Sequence, residues 1–490
     1  METLHEAFEY PLTRLDPVRG DHVDPPSVAI FQTLLRKGPH GQPLPGLAES
    51  WQVIDGGRTW RLRIQPGARF HSGDRCDARA VVRALEHCRW GDGWPRQVWY
   101  WDPVDTVEEV DEGTVSIRLH EPCSRLPALL WGAHTAIANP DPWLRLGDEF
   151  GLTCADGTGP YRLVSYDPAQ VIAERIRPGA GPDRIHWHAV EDPADRVCCL
   201  QDPRMDIVRQ VEVDDLAPGW RGTEQPENGQ YYLALDFGDE RGFGQVDMRR
   251  CIDAFIDREL LLARCLGGRG AARPTPIPEA DEFASEPQSA AAGKLSPERA
   301  RARLASLGWQ PDASGIWCRG TQRMSMPCVI QDTPVGRSIG AEVARQLRAA
   351  GIELILQPTP VFEAFYQSVG SRPPAFISKW LWPDAMEAIM GFTRMDCIQP
   401  AGGNWQAANC PQVDACYDEF LAARSPADLA KASSAAQRAF MEHLPYLPLV
   451  SCTESIAVRD EVSGFGLVPR TLYPSYEQVH RKREMHATDR

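Results

Sequence analysis

"LAESWQVIDGGRTWRLRIQPGARFHSG", residues 47–73, is the stretch on which the reading of the whole chain turns. Trp60, Leu62 and Ile64 fall on one face of an extended segment, and Arg61 and Arg63 on the other, the period of a half-buried strand. Asp55-Gly56-Gly57 supplies the positive-φ positions of a tight turn back to a strand carrying Trp51 and Val53. Pro66-Gly67 and Ser72-Gly73 punctuate the chain on either side of Phe70. From Asp77 the period changes: Ala78, Val81, Val82 and Leu85 recur at helical spacing, with Asp77 placed to cap the helix. Strand, turn, strand, turn, helix is the local expectation, and it implies no function.

The chain has 490 residues, 43% hydrophobic and 24% charged, a globular composition. That length suggests about three domain-sized units, because one core rarely grows beyond ~250–300 residues. A net charge of −15 argues against sequence-independent nucleic-acid binding. No apolar run reaches the ~18–20 residues that span a bilayer. The N-terminal "METLHEAFEYPLTRLDP" lacks a basic segment followed by an apolar one, so no secretory signal is expected in it. Fourteen cysteines without CxxC pairs read as reduced thiols of a cytosolic chain.

Beyond the opening stretch, Val98-Trp99-Tyr100-Trp101 is an aromatic cluster, "TVSIRL" (114–119) an alternating strand, and "GTGPYRLVSY" (from 157) a turn feeding a strand. Residues 183–235 read as strands ending in "YYLALDF". Val246 to Leu266 is helical and closes at Gly267-Gly268. Residues 271–294, rich in Pro, Ala and acids, are the linker or long-loop candidate. "SPERARARLASLGW" is a capped helix. "SMPCVIQ", "SIGAEVARQLRAAG" and "IELILQ" follow as β-α-β, which argues for a parallel pair.

With these elements in place, the sequence resembles the family 5 extracellular solute-binding proteins, the oligopeptide, dipeptide, nickel and opine receptors of ABC importers. "LTRLDP" resembles the family's first strand and turn. "PLPGLAESWQVIDGGRTWRLRIQPGARFHSGDRCDARAVVRALE" resembles its signature, and "GTGPYRLVSY" and "VDMRRCIDAFIDRELLLARCLGGRGAARPTPIP" its next landmarks. "KWLWPDA" and "GGNWQAANCPQVDACYDE" follow in order. The resemblance implies an α/β, two-lobed periplasmic-binding-protein-like fold (type II, with an extra small domain) around a central ligand cleft. The implied domains are 1–35 (first lobe, part), 36–159 (extra domain), 160–262 (first lobe, continued), 263–454 (second lobe) and 455–490 (return to the first). It also implies a monomer without cofactor or catalysis, taking a short peptide or similar polar molecule, with an ABC permease as partner if the chain is exported.

For the ligand site, the resemblance points to Trp380–Trp405. Trp380 and Trp382 are candidate apolar walls, and Asp384 and Asn404 candidate orienting groups beside Trp405. Packing of the second lobe is the competing role for both tryptophans. Oligopeptide receptors hold the ligand's ammonium with an acid just before the asparagines; "IQPAGGN" has none, and Asp396 is the nearest carboxylate. Trp99, Tyr100, Trp101, Trp131 and His134 are the candidates from the first lobe.

Four other patterns bear on function. "GRSIG" (336–340) matches GxSxG with Ser338 as nucleophile, but a loop separates it from the preceding strand, and Ser338 reads better as a helix cap. "HWH" puts His186 and His188 on one strand face near Glu191 and Asp192, a possible metal pair, with an edge or solvent face the commoner outcome. Cys198-Cys199 reads as core, and Cys410 and Cys416 are too widely spaced for a zinc knuckle. The expected function is non-catalytic ligand binding for an importer. The rival readings are a cytosolic ligand sensor on the same fold and a hydrolase using Ser338. The location reads as cytoplasmic, or as periplasmic if a leader has been removed.

Overall fold

The computed structural model describes the chain except at residues 1, 10–11, 13, 20–24, 39–40, 91–100, 178, 180, 215, 280, 282, 285–293, 360–371, 382–383, 399–401, 468–473 and 482–490. Two compact units emerge. One gathers the described residues of 1–90, 101–225 and 454–481; the other holds those of 226–453.

In the first unit the opening stretch forms the hairpin its pattern requires. Ala48–Ile54 pairs antiparallel with Thr59–Ile64, Trp51 opposite Leu62 and Val53 opposite Trp60. Leu62 and Ile64 are buried while Arg61 and Arg63 face solvent. Asp55, Gly56 and Gly57 all take positive φ in the turn. Thr114–Leu119 and Val104–Asp111 complete a four-stranded sheet. The Ala78–Trp90 helix begins where Asp77 Oδ1 accepts from the Ala80 amide at 2.9 Å. Phe70 is buried, and the turn after it docks on the GTGPY segment. His71 N donates to Gly157 O at 2.9 Å, and a His71 ring nitrogen lies 3.0 Å from Gly159 O. Those two glycines lie against backbone: a Cβ at Gly157 would stand 2.2 Å from Ile30 O, and one at Gly159 2.3 Å from Ala29 O.

The larger sheet of this unit runs, strand by strand, through residues 454–459, Ile207–Arg209, Thr3–Phe8, Arg184–Ala189, Gln170–Arg175 and Tyr161–Asp167. The chain's first strand lies at its centre. Beneath it Trp187 Nε1 donates to the Tyr476 hydroxyl at 2.9 Å, which in turn donates to Glu6. Buried Arg209 holds Glu454 through Nε at 2.7 Å.

The second unit carries the expected β-α-β. Ser325–Gln331 and Glu353–Thr359 pair in parallel, joined by the Pro334–Ala349 helix, with Gly351 at φ +91°. Ala375–Leu381 lies parallel on the other side of Ser325–Gln331 and antiparallel to the Trp220–Leu235 strand. Leu233, Leu347, Ile377, Leu447 and their neighbours form the core.

Two expectations are corrected here. The helix read from Val246 to Leu266 is two helices, Val246–Ala254 and Arg258–Cys265. Asp257 breaks it, because its side chain accepts from the Leu260 amide at 3.0 Å and starts a new helix. The first part of the 271–294 segment is not a linker. Thr275 and Ile277 are buried, Thr275 O accepts from Gln230 Nε2 at 2.8 Å, and Asp281 accepts from Asn228 Nδ2 at 3.1 Å.

Candidate functional site

The order of strands in the second unit singles out one edge. Ser325–Gln331 has its crossover partner on one side and Ala375–Leu381 on the other, so the connections diverge at the carboxyl ends of these two strands. In open α/β sheets that divergence is where ligands bind. Gln331 closes one strand, and its Nε2 donates to Ser378 Oγ at 2.9 Å. Thr333 then caps the Pro334–Ala349 helix, accepting from Gly336 N at 3.0 Å. From the other strand the chain passes through residues 382–383 to Asp384, which caps Ala385–Thr393 by accepting from Glu387 N at 3.1 Å. Half-buried Lys379 forms an ion pair with buried Glu227. Burial works against the ammonium, but the carboxylate outweighs it and holds the Lys379 pKa above the ordinary lysine range.

The predicted residues of this region lie mainly in its frame. Trp380 is 2% exposed, and its Nε1 reaches the Tyr446 hydroxyl at 3.3 Å. Asn404 is fully buried. Its amide donates to the carbonyls of Thr393, Arg394 and Ala408, and its oxygen accepts from Ala408 N at 2.8 Å. Asp384 is occupied as a cap, and its neighbour Ala385 N donates to Asp281 at 3.0 Å. Trp405 is buried too. Asp396 is held by Arg394 at 2.7 Å, which also bonds Asp418 and keeps the Asp396 carboxyl below its usual range. Trp382 lies outside the described residues.

Of the candidates expected from the first lobe, Trp99 and Tyr100 lie outside the described residues. Trp101 and Trp131 are buried, Trp131 with the Lys37 ammonium 5.9 Å from its ring centroid. His134 is half-buried.

Ser338 is neither elbow nor cap. Thr333 is the cap, so Ser338 lies a full turn inside the helix, hydrogen-bonded to Cys265. A nucleophile elbow holds its serine on the strand-to-helix turn itself. All fourteen cysteines are free. Cys198 is exposed, whereas half-buried Cys199 packs against the core cluster around Met205, Val208 and Trp220, so the core reading holds for Cys199 alone. Cys410 is buried ahead of the Pro411–Leu421 helix that carries Cys416.

The HWH strand is not an edge, since it pairs with a strand on each side. Its neighbour brings a third ring that sequence reasoning missed: His5, in register with His186. His5 Nδ1 lies 3.1 Å from His188 Nε2, and Gln170 Nε2 lies 3.3 Å from His188 Nδ1. Burial, then the neighbouring rings, lowers His5 to about 4, and the same causes lower His188 to about 4; burial also lowers His186. Glu191 is exposed, and Asp192 caps the Pro193–Cys199 helix, so neither joins the rings.

Residues 42–396 match the family described as bacterial extracellular solute-binding proteins, family 5 Middle. The glutathione-binding protein GsiB of Salmonella paratyphi A is 23% identical over 439 residues, covering 87% of this chain and 84% of that protein. Among solved structures, the oligopeptide-binding protein AppA of Bacillus subtilis, in complex with a nonapeptide, superposes with a TM-score of 0.85. Its sequence identity is 17%, with 98% of this chain and 99% of that one covered. AgaA from A. tumefaciens R10, in complex with agropinic acid, gives 0.83 at 19% identity, with 99% of each chain covered. At such identities the structural likeness establishes the shared mixed α/β fold. The family match extends over well more than half of the chain, which therefore belongs to the bacterial extracellular solute-binding proteins of family 5.

Proposed function

We propose that this chain is a non-catalytic receptor for a small polar ligand, a short peptide or a peptide-like conjugate, delivered to an ABC permease. The observation that carries the reading is the family match over residues 42–396. A glutathione-binding relative and structural neighbours holding a peptide and an opine support the ligand class. Within the second unit we place ligand contact at the carboxyl ends of Ser325–Gln331 and Ala375–Leu381, with Trp382 as the aromatic contact. Trp380, Asp384, Asn404 and Trp405 act there as the frame that aims the loop.

A thermal-shift panel of di- to nonapeptides, glutathione, opines and nickel chelates tests this. Saturation at 100-fold over Kd adds about 2.7 kcal/mol of stability. A shift with one ligand class that Trp382→Ala abolishes supports the reading and its placement. No shift with any ligand, in protein stripped by partial unfolding and refolding, overturns it.

A second reading, a ligand sensor in a reducing compartment, is kept for one observation: fourteen cysteines, all free. Fractionation of the native host decides between them, since an importer receptor belongs outside the inner membrane.

A further inference from the structure

We propose that His5, His186 and His188 form a binding site for one divalent transition-metal ion, zinc foremost, on the sheet of the first unit. This site is separate from the proposed ligand contacts, which lie in the second unit.

The backbone sets the arrangement. His186 and His188 are two apart on the Arg184–Ala189 strand and so share a face. The parallel Thr3–Phe8 strand places His5 directly beside His186. Ring centroids are 4.7 Å apart for His5 and His186, 5.4 Å for His5 and His188, and 6.4 Å for His186 and His188. One nitrogen from each ring lies within 4.8 Å of the others, the one such group of three among the described residues. A tetrahedral zinc with Zn–N near 2.0–2.1 Å sets its nitrogens about 3.4 Å apart. His5 Nδ1 and His188 Nε2 are already at 3.1 Å. The third nitrogen, within 4.8 Å of the other two, has to approach by no more than about 1.4 Å to meet that spacing.

Three further features suit a metal. The His186 Nε2 atom is shielded from solvent and has no hydrogen-bond partner, a costly state for a buried polar atom that a metal bond would relieve. The Gln170 side-chain amide lies 3.3 Å from His188 Nδ1; a half-turn of that amide presents its oxygen to Nδ1–H and leaves the lone pair of Nε2, which faces His5, for a metal. Asp202 and Arg204, which act on His5 and His188, form an ion pair with each other at 2.7 Å, and Arg184, which acts on His186, pairs with Glu174 at 3.6 Å. Each of these cations is paired with a carboxylate, and the three rings themselves are a neutral nitrogen donor set. Three imidazoles with no carboxylate or thiolate select zinc, nickel or copper over magnesium or calcium. Three protein ligands leave the fourth zinc position to water.

The test is a titration of untagged, chelator-stripped protein with zinc chloride, followed by competition against a chromophoric chelator. The expected result is one ion per chain at micromolar Kd or tighter. His5→Gln, His186→Gln and His188→Gln should each weaken binding at least tenfold, and His120→Gln, an exposed control, should leave it unchanged. Cobalt substituted into the unmutated protein should show the intense visible bands of a tetrahedral nitrogen site, a readout that does not depend on any variant folding. Absence of binding at 100 µM zinc, octahedral cobalt spectra, or stoichiometric binding that survives the triple variant would overturn the site. Peptide-panel shifts should be the same in the histidine variants, so failure of this inference and failure of the receptor reading remain distinguishable.

Discussion

Asn404 illustrates how a polar residue becomes indispensable without touching a ligand. Every polar atom of its side chain is bonded to backbone within a dozen residues, pinning the end of the Ala385–Thr393 helix to the loop that follows. Asn404→Ala removes the buried bonds to the Thr393 and Ala408 carbonyls and the Ala408 amide, whereas the Arg394 carbonyl keeps Cys397 N at 3.2 Å. We expect a loss of about 2–4 kcal/mol in urea unfolding, given roughly 1–3 kcal/mol per stranded buried group and partial relaxation. Ligand affinity in the surviving folded fraction should change little, which separates a frame role from a contact role. Glu342 makes a pH-dependent counterpart. The Arg345 guanidinium, helped by Gln346 and Arg264 and opposed by burial, holds its carboxyl down to about 2. A carboxyl depressed in the folded state stabilises above its unfolded pKa of about 4.5, and that contribution is lost as pH falls towards 2. Both arginines are about half exposed, so Glu342→Gln should cost only about 1–2 kcal/mol at pH 7 after solvent screening. In paired denaturation series the gap should close between pH 4.5 and 2.

At the scale of elements, glycine acts in two distinct ways. At Gly159 the obstacle is space, because the new Cβ would meet the Ala29 carbonyl, which is backbone and cannot rotate aside. At Gly56 the space is open, and only φ +64° opposes a side chain. Gly159→Ala should therefore cost at least about 2 kcal/mol as an overpacked contact, and Gly56→Ala about 1 kcal/mol as a left-handed residue. Melting curves of the two variants would show the order, and equal costs would mean that the GTGPY segment does not sit against residues 29–30. The same distinction explains what could be read from the residues in advance. The 47–73 hairpin, the Asp77 cap and the β-α-β were legible because period, turn chemistry and capping are local signals. The break at Asp257 was not, because apolar residues at helical spacing continue through it. Thr333 lost out to Ser338 because a motif drew attention past the nearer cap. For the site, the tryptophans and Asn404 stood out by type, but whether such a group faces ligand or core is decided by residues far away: Tyr446 for Trp380, Asp281 for the start of the Ala385–Thr393 helix. His5 was invisible as a partner of His188 at a separation of 183 residues.

For the whole molecule, the two units differ in how the chain enters them. Among the described residues the second is one contiguous run, 226–453, and its core draws on residues between Tyr231 and Cys452. A fragment of residues 226–453 should thus fold alone, with a single cooperative urea transition and native-like near-UV dichroism. A non-cooperative transition would mean that this core needs the rest of the chain. The first unit has no such independence. Its central strand, Thr3–Phe8, is flanked by strands from residues 184–189 and 207–209, and beyond the latter lies the segment from residue 454 onward. Tyr476 closes on Glu6 across 470 residues. A ribosome adding ~5–20 residues per second needs roughly half a minute to a minute and a half for that interval. Throughout it Thr3–Phe8 lacks its later neighbours, while residues 226–453 are made before Tyr476 is. The first unit can therefore close only after the second has been made, whatever the order in which its own strands pair.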